Sequence, residues 1–193
     1  MNINSIKKLS LIFASALLLQ GCVAALIGGG AVATKVGTDP RTMGTQVDDE
    51  TMEFRVFSAI NKDAQIKEEG RVSVVAYSGR VLLIGQVPNE SLKEVASNLA
   101  KGAEGVTHVY NEIRVGQPIS LWQQTKDSGI TATIKSKLLV NNQVKTTAVK
   151  AITENNEVFL MGNVTAEQGN AASEVARNVA GVTKVVKVFN YIN

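Results

Sequence analysis

From about residue 48 to its end the chain is written twice, and a duplicated sequence restricts the fold more than composition can. The block Val81-Leu82-Leu83-Ile84-Gly85-Gln86-Val87 returns 77 positions later as Val158-Phe159-Leu160-Met161-Gly162-Asn163-Val164. Upstream, Val56 to Lys67 matches Ile134 to Lys145 at a shift of 78. Downstream, Gly105-Val106-Thr107-His108-Val109 matches Gly181-Val182-Thr183-Lys184-Val185 at a shift of 76, so two one-residue gaps reconcile the register. The repeat predicts two domains, 48–117 and 118–193, each near the lower size limit for an independent core. Packing of one copy on the other would relieve that limit.

Each copy reads helix, strand, strand, helix, strand. Met52, Val56 and Ile60 in copy one, and Ile130, Ile134 and Leu138 in copy two, recur every four residues and make one helical stripe. Asp49 and Asp127 stand just before these stripes and are expected to be N-caps. Short strands follow near Val72 to Ala76 and Val149 to Thr153. Ser78-Gly79 and Asn155-Asn156 then suit a tight hairpin, because these residues tolerate positive φ. The second, apolar strand is expected to end at Gly85 or Gly162. The second helix carries Ala96, Leu99, Ala100 and Ala103 against Ala172, Val175, Ala176 and Val179, both at i, i+3, i+4, i+7. Thr165 with Gln168 forms a capping-box pattern. Gly105 and Gly181 are expected to stop these helices. A valine-rich strand closes each copy, near Thr107 to Val115 and Thr183 to Ile192.

The residues before the repeat have another character. Lys7 and Lys8 precede an apolar run from Leu9 to Leu19, then Leu19-Gln20-Gly21-Cys22. The run of about 11 residues is short of the ~20 that span a bilayer, and its order is that of a secretory signal peptide, residues 1–21. The last four residues resemble the lipobox of bacterial lipoproteins, departing from it at Gln20, where a small residue is commoner. The resemblance implies cleavage before Cys22 and acylation of that sole cysteine with a diacylglyceryl group and an N-acyl chain such as palmitate. Two or more chains anchor a protein stably. In such lipoproteins an Asp after the cysteine signals inner-membrane retention. Val23 stands there, which implies the outer membrane, with the domains facing the periplasm. Residues 22–47 contain Gly28-Gly29-Gly30 and Pro40 and are expected to form a lipidated flexible tether. Loss of Lys7 and Lys8 leaves 18 Lys+Arg against 17 acids, a formal +1.

Composition argues against catalysis. The sequence has one histidine, His108, and lacks any Cys/His cluster, HExxH, GxSxG or P-loop pattern. Metal sites and nucleophilic triads need several such groups to converge. His108 beside Val106 and Val109 reads as a surface strand residue. No cofactor or metal is expected, and nothing points to an enzyme.

Tandem units of this order, with Gly85/Gly162 after an apolar strand and Gly105-Val106/Gly181-Val182 before the last one, resemble BON domains. Asp39-Pro40-Arg41-Thr42, Val47-Asp48-Asp49 and Gly116-Gln117-Pro118-Ile119 further resemble the dual-BON outer-membrane lipoproteins of envelope integrity and division. The resemblance covers about 48–193. It implies an α+β fold of two αββαβ units, each a small mixed sheet with two helices, and phospholipid binding without catalysis.

The duplication lets each copy serve as a control for the other. Residues 48–117 hold eight Lys/Arg and eleven Asp/Glu, net −3; residues 118–193 hold eight and five, net +3. Basic surface attracts anionic lipid at about 1 kcal/mol per Lys or Arg. The first helix of copy one has Ala59, Asn61 and Lys62 where copy two has Lys137, Leu139 and Val140. Trp122 and Lys126 are expected just before that helix, and Trp favours membrane interfaces. Trp122, Lys126, Lys135, Lys137, Leu139 and Val140 are therefore the expected lipid-binding residues, with Lys135 and Lys137 on one flank, and phosphatidylglycerol and cardiolipin the expected partners. Members of the family often carry a bulky apolar residue where this chain has Gly129. Two other roles compete: Leu139 and Val140 could pack on copy one, with Trp122 as inter-domain glue, or the protein could be a scaffold for envelope-assembly or division proteins. Nucleic acid is not an expected partner, given the compartment and the acidic first copy.

Overall fold

The computed structural model describes residues 43–193. The expected signal peptide, the lipobox-like stretch with Cys22 and the expected tether up to residue 42 lie outside the described residues. Copy one runs α1 (Met43–Ile60), α2 (Ala64–Glu69), β1 (Arg71–Tyr77), β2 (Arg80–Val87), α3 (Glu90–Lys101), β3 (His108–Asn111) and β4 (Arg114–Val115). Copy two runs α4 (Leu121–Leu139), a 3-10 turn (Thr146–Ala148), β5 (Val149–Glu154), β6 (Glu157–Val164), α5 (Ala166–Arg177) and β7 (Lys184–Tyr191). The chain thus has an α+β fold, with a mixed sheet in each copy.

In each sheet the hairpin pairs antiparallel and the last strand adds parallel to its second arm: β1–β2 with β3 and β4, and β5–β6 with β7. Both hairpin turns use positive φ as expected, at Ser78 (50°), Gly79 (78°), Asn155 (50°) and Asn156 (63°). The second strands do not end at Gly85 and Gly162 but continue to Val87 and Val164. Gly85 is instead a point of close approach: at φ 123° an added Cβ would sit 1.9 Å from the Arg71 carbonyl oxygen. The capping box at Thr165 and Gln168 is present. The second helices stop before Gly105 and Gly181, at Lys101 and Arg177, and the two glycines occupy the turns that follow, at φ 84° and 91°. The closing strand of copy one is broken: Asn111 turns its amide to the Lys93 carbonyl, and Ile113 is driven into the core.

Alternation within β2 and β6 explains why both read as unbroken apolar runs. Val81 and Leu83 face α1 and α3, while Leu82 and Ile84 face away. Val158 and Leu160 likewise face α4 and α5, while Phe159 and Met161 face away. The outward sets meet: Tyr77, Leu82, Ile84, Phe159, Met161 and Val188 form one buried cluster between the two sheets. The order of layers is helices, sheet, sheet, helices, and the small core of each copy gains a third, shared one. Polar ties rim the contact. Arg114 donates to Glu157 at 2.6 Å, which holds its guanidinium above its ordinary pKa against the opposing effect of burial. Lys150 donates to Glu53 (3.0 Å) and to the Ala76 carbonyl (2.8 Å).

Asp49 and Asp127 are not N-caps. Both helices begin earlier, at Met43 and Leu121, so residues 43–47, expected to be tether, are helical. These two starts are equivalent under the 78-residue shift, so the repeat extends further upstream than the apolar stripe indicates. Each aspartate is buried within its helix and reaches the hairpin turn of its own copy. Asp49 accepts from the Ser78 and Gly79 N–H groups, at 2.8 and 3.2 Å. Asp127 accepts from Asn155 and Asn156, at 2.7 and 2.9 Å. A tight turn leaves these donors pointing inward, and a carboxylate supplies the acceptor that satisfies both.

Candidate functional site

The core face of α4 is set by Asp127, Ile130, Ile134 and Leu138, all buried. Ser120 caps the helix, accepting from the Gln123 N–H at 3.2 Å. Among the described residues nothing covers the opposite face. Leu121 is 80% exposed, Trp122 78%, Leu139 73% and Val140 78%. Leu139 and Val140 therefore do not pack on copy one, and Trp122 is not inter-domain glue; the sheet–sheet cluster does that work. Leu121 and Leu139 are eighteen residues apart, as are Trp122 and Val140. That is five whole turns, so each pair shares a face about 27 Å long.

Between these bulky ends the exposed positions are small: Thr125, Ser128, Gly129, Ala132, Thr133 and Ser136. Three of the hydroxyls bond back into the helix, Thr125 to the Leu121 carbonyl (3.0 Å), Ser128 to Gln124 (2.9 Å) and Thr133 to Gly129 (2.9 Å). Burying such a face against an apolar phase strands fewer donors than free hydroxyls would. Lys126, Lys135 and Lys137 are all exposed. Lys135 and Lys137 do not share a flank: two positions on a helix turn about 200°. Lys137 lies over the groove toward α5, beside Glu174 and Asn178, and Lys135 lies on the far side. Lysines on both flanks of an apolar ridge can reach the surface of an anionic layer while the ridge enters it. No helix among the described residues is long and apolar enough to cross a membrane.

Sequence reasoning missed Leu121, whose signal was its place beside Trp122. It also missed Phe54 and Phe57 on α1, 72% and 47% exposed. Phe54 borders an open groove between α1 and α3, with Arg55, Lys62 and Leu99 on its walls. The stripe through Met52, Val56 and Ile60 identifies the core face and leaves residues off it without an assigned role. His108 is an exposed strand residue, as expected, 4.4 Å from the Tyr110 ring.

The start of α4 is also held from copy one. The Ile119 N–H donates to Gln86 Oε1 at 3.2 Å, and Gln86 Nε2 donates to Glu154 Oε1 at 2.8 Å. Arg71 Nη1 contacts both Glu154 oxygens at 2.7 Å. Within α4, Gln124 Nε2 donates to the Ile119 carbonyl (3.3 Å) and Gln123 Nε2 to Asp127 Oδ1 (2.8 Å).

A family model described as BON domain matches residues 48–117 and again 126–193. The chain is 58% identical over 193 residues, all of both chains, to the outer membrane lipoprotein DolP of Haemophilus influenzae. It is 62% identical over 154 residues, 80% of this chain and 79% of the other, to a 21 kDa hemolysin of Actinobacillus pleuropneumoniae. It is 32% identical over 154 residues, 78% of this chain and 76% of the other, to the osmotically-inducible protein Y of Escherichia coli.

Proposed function

The chain belongs to the BON-domain family, and from that premise we propose that it is a non-catalytic outer-membrane lipoprotein, anchored through Cys22, that rests α4 on anionic phospholipid and supports outer-membrane integrity. The observation that carries this reading is the outer face of α4. Four large apolar side chains are presented to solvent on a folded helix, with lysines on both flanks. Fully burying each such side chain is worth about 1.5–3 kcal/mol, and each lysine adds about 1 kcal/mol near an anionic surface. Partial insertion suffices for a protein whose acyl anchor already keeps it at the membrane. The full-length likeness to an outer membrane lipoprotein supports the location.

Flotation of the chain from Val23 onward with vesicles tests the reading. Phosphatidylglycerol or cardiolipin vesicles should carry it upward and phosphatidylcholine vesicles should not, with the effect falling as salt rises. Equal flotation with neutral lipid, or none with anionic lipid, refutes it. Phe54 favours a second role beside the first. It is an exposed aromatic on the acidic copy, a poor place for anionic lipid and a suitable one for a protein of the envelope-assembly or division machinery. A Phe54→Ser chain that floats normally yet loses cellular function would favour it.

A further inference from the structure

The polar contacts at the start of α4 close into a ring that passes through copy one. Gln124 bonds Ile119, Ile119 bonds Gln86, and Gln86 bonds Glu154. Glu154 is followed directly by Asn155 and Asn156, whose N–H groups bond Asp127, and Asp127 accepts from Gln123. Leu121 and Trp122 sit inside this ring, between Ile119 and Gln123.

The weak link is Gln86, which belongs to the other copy. It is buried, and its amide makes both bonds that carry the ring across the sheet–sheet boundary. The equivalent residue in copy two, Asn163, stays within its own sheet and accepts from Asn190 at 3.1 Å. The cross-copy use of this position is thus a specialisation of copy one. We propose that Gln86, with Glu154 behind it, is a positioning residue for the membrane face: it fixes the first two turns of α4, so that Leu121 and Trp122 are presented at a set attitude. Copy one then serves copy two's lipid contact without touching lipid. The inference rests on the lipid reading of α4.

Donor and acceptor can be exchanged across the pair, which gives a test that mere core damage does not mimic. In Gln86→Glu two carboxylates face each other and the donor is lost. In Glu154→Gln Arg71 loses its partner. In the double variant the carboxylate at 86 can accept from Ile119 and from the amide at 154. Arg71 lies opposite position 86 in the β1–β2 ladder and keeps a carboxylate within reach. Amide exchange would be followed in the chain from Val23 onward, which contains every described residue. In Gln86→Glu, amides of the first two turns of α4 should exchange at least about fivefold faster, as expected when a buried hydrogen bond opens locally, and in Glu154→Gln, whose amide oxygen still accepts from Gln86, they should change less. Those near Ile134 to Leu138 should not change. In Gln86→Glu, affinity for phosphatidylglycerol vesicles should fall about threefold or more, and the double variant should regain both.

Equal acceleration along the whole helix, no acceleration at its start, or failure of the double variant to recover would overturn the proposal. If the double variant does not fold, Gln86→Met, which deletes both bonds at similar length, must show the same local pattern. If the unaltered chain ignores anionic vesicles, the lipid reading fails by itself, and the exchange pattern alone decides whether Gln86 positions the helix.

Discussion

Gly129→Leu should strengthen membrane binding, and the gain can be worked out in advance. Gly129 lies on the exposed face of α4, seven residues past Trp122 and so nearly in line with it. A Cβ built there meets nothing within 4 Å, so a side chain enters open space. Two effects follow. Replacing a helix-interior glycine with a good helix former stabilises the fold by about 0.5–1 kcal/mol. An added leucine on the ridge contributes up to about 1.5–3 kcal/mol if buried in lipid, a tightening of roughly 10- to 100-fold. The assay is a titration of the chain from Val23 onward with phosphatidylglycerol vesicles, beside a urea melt. The control is Ser91→Leu, which adds the same side chain to an exposed position on α3 of the acidic copy. It should leave vesicle affinity unchanged. Equal gains from both variants would mean that general hydrophobicity drives binding. No gain from Gly129→Leu would mean that this face of α4 does not enter lipid.

Leu139→Asn with Lys137→Ala should weaken binding to anionic vesicles on the order of 100-fold, with a change in stability within about 0.5 kcal/mol because both side chains are exposed; a large loss of melting temperature would place Leu139 in a core instead. Asp127→Ala strands two turn N–H groups and the Gln123 amide and should cost about 3–5 kcal/mol in urea unfolding, and a cost under about 1 kcal/mol would contradict the role assigned to that carboxylate. Cys22→Ala should abolish incorporation of labelled fatty acid, and persistent label would place the anchor elsewhere.

Much of this fold can be read from the sequence because it is local. Stripes of period 3.6, a positive-φ turn at Asn155-Asn156 and a capping box at Thr165 each depend on residues within one or two turns of each other. What stays hidden depends on distant partners. Asp127 resembles an N-cap because a helix start and a buried tertiary acceptor use the same residue type; only the folded chain shows that its partners are 28 and 29 positions away. Leu82 and Ile84 signal a strand buried on both faces, yet nothing local says that the second cover is the other copy's sheet. Gln86 looks like a polar strand residue, and its bonds to Ile119 and Glu154 cross 33 and 68 positions. The exposed apolar face of α4, the proposed membrane contact, is partly legible, since the comparison of copies isolates Leu139 and Val140. Leu121 escaped because copy one has Met43 there, another apolar residue, and no contrast arises.

Trp122 is the sole tryptophan of the sequence and lies on the proposed contact face, so its fluorescence reports that contact without a label. With phosphatidylglycerol vesicles carrying brominated acyl chains at low salt, its emission should shift to the blue and be quenched, and both effects should fade at high salt and with phosphatidylcholine. Binding to vesicles with the Trp122 emission unshifted and unquenched would contradict α4 as the membrane face.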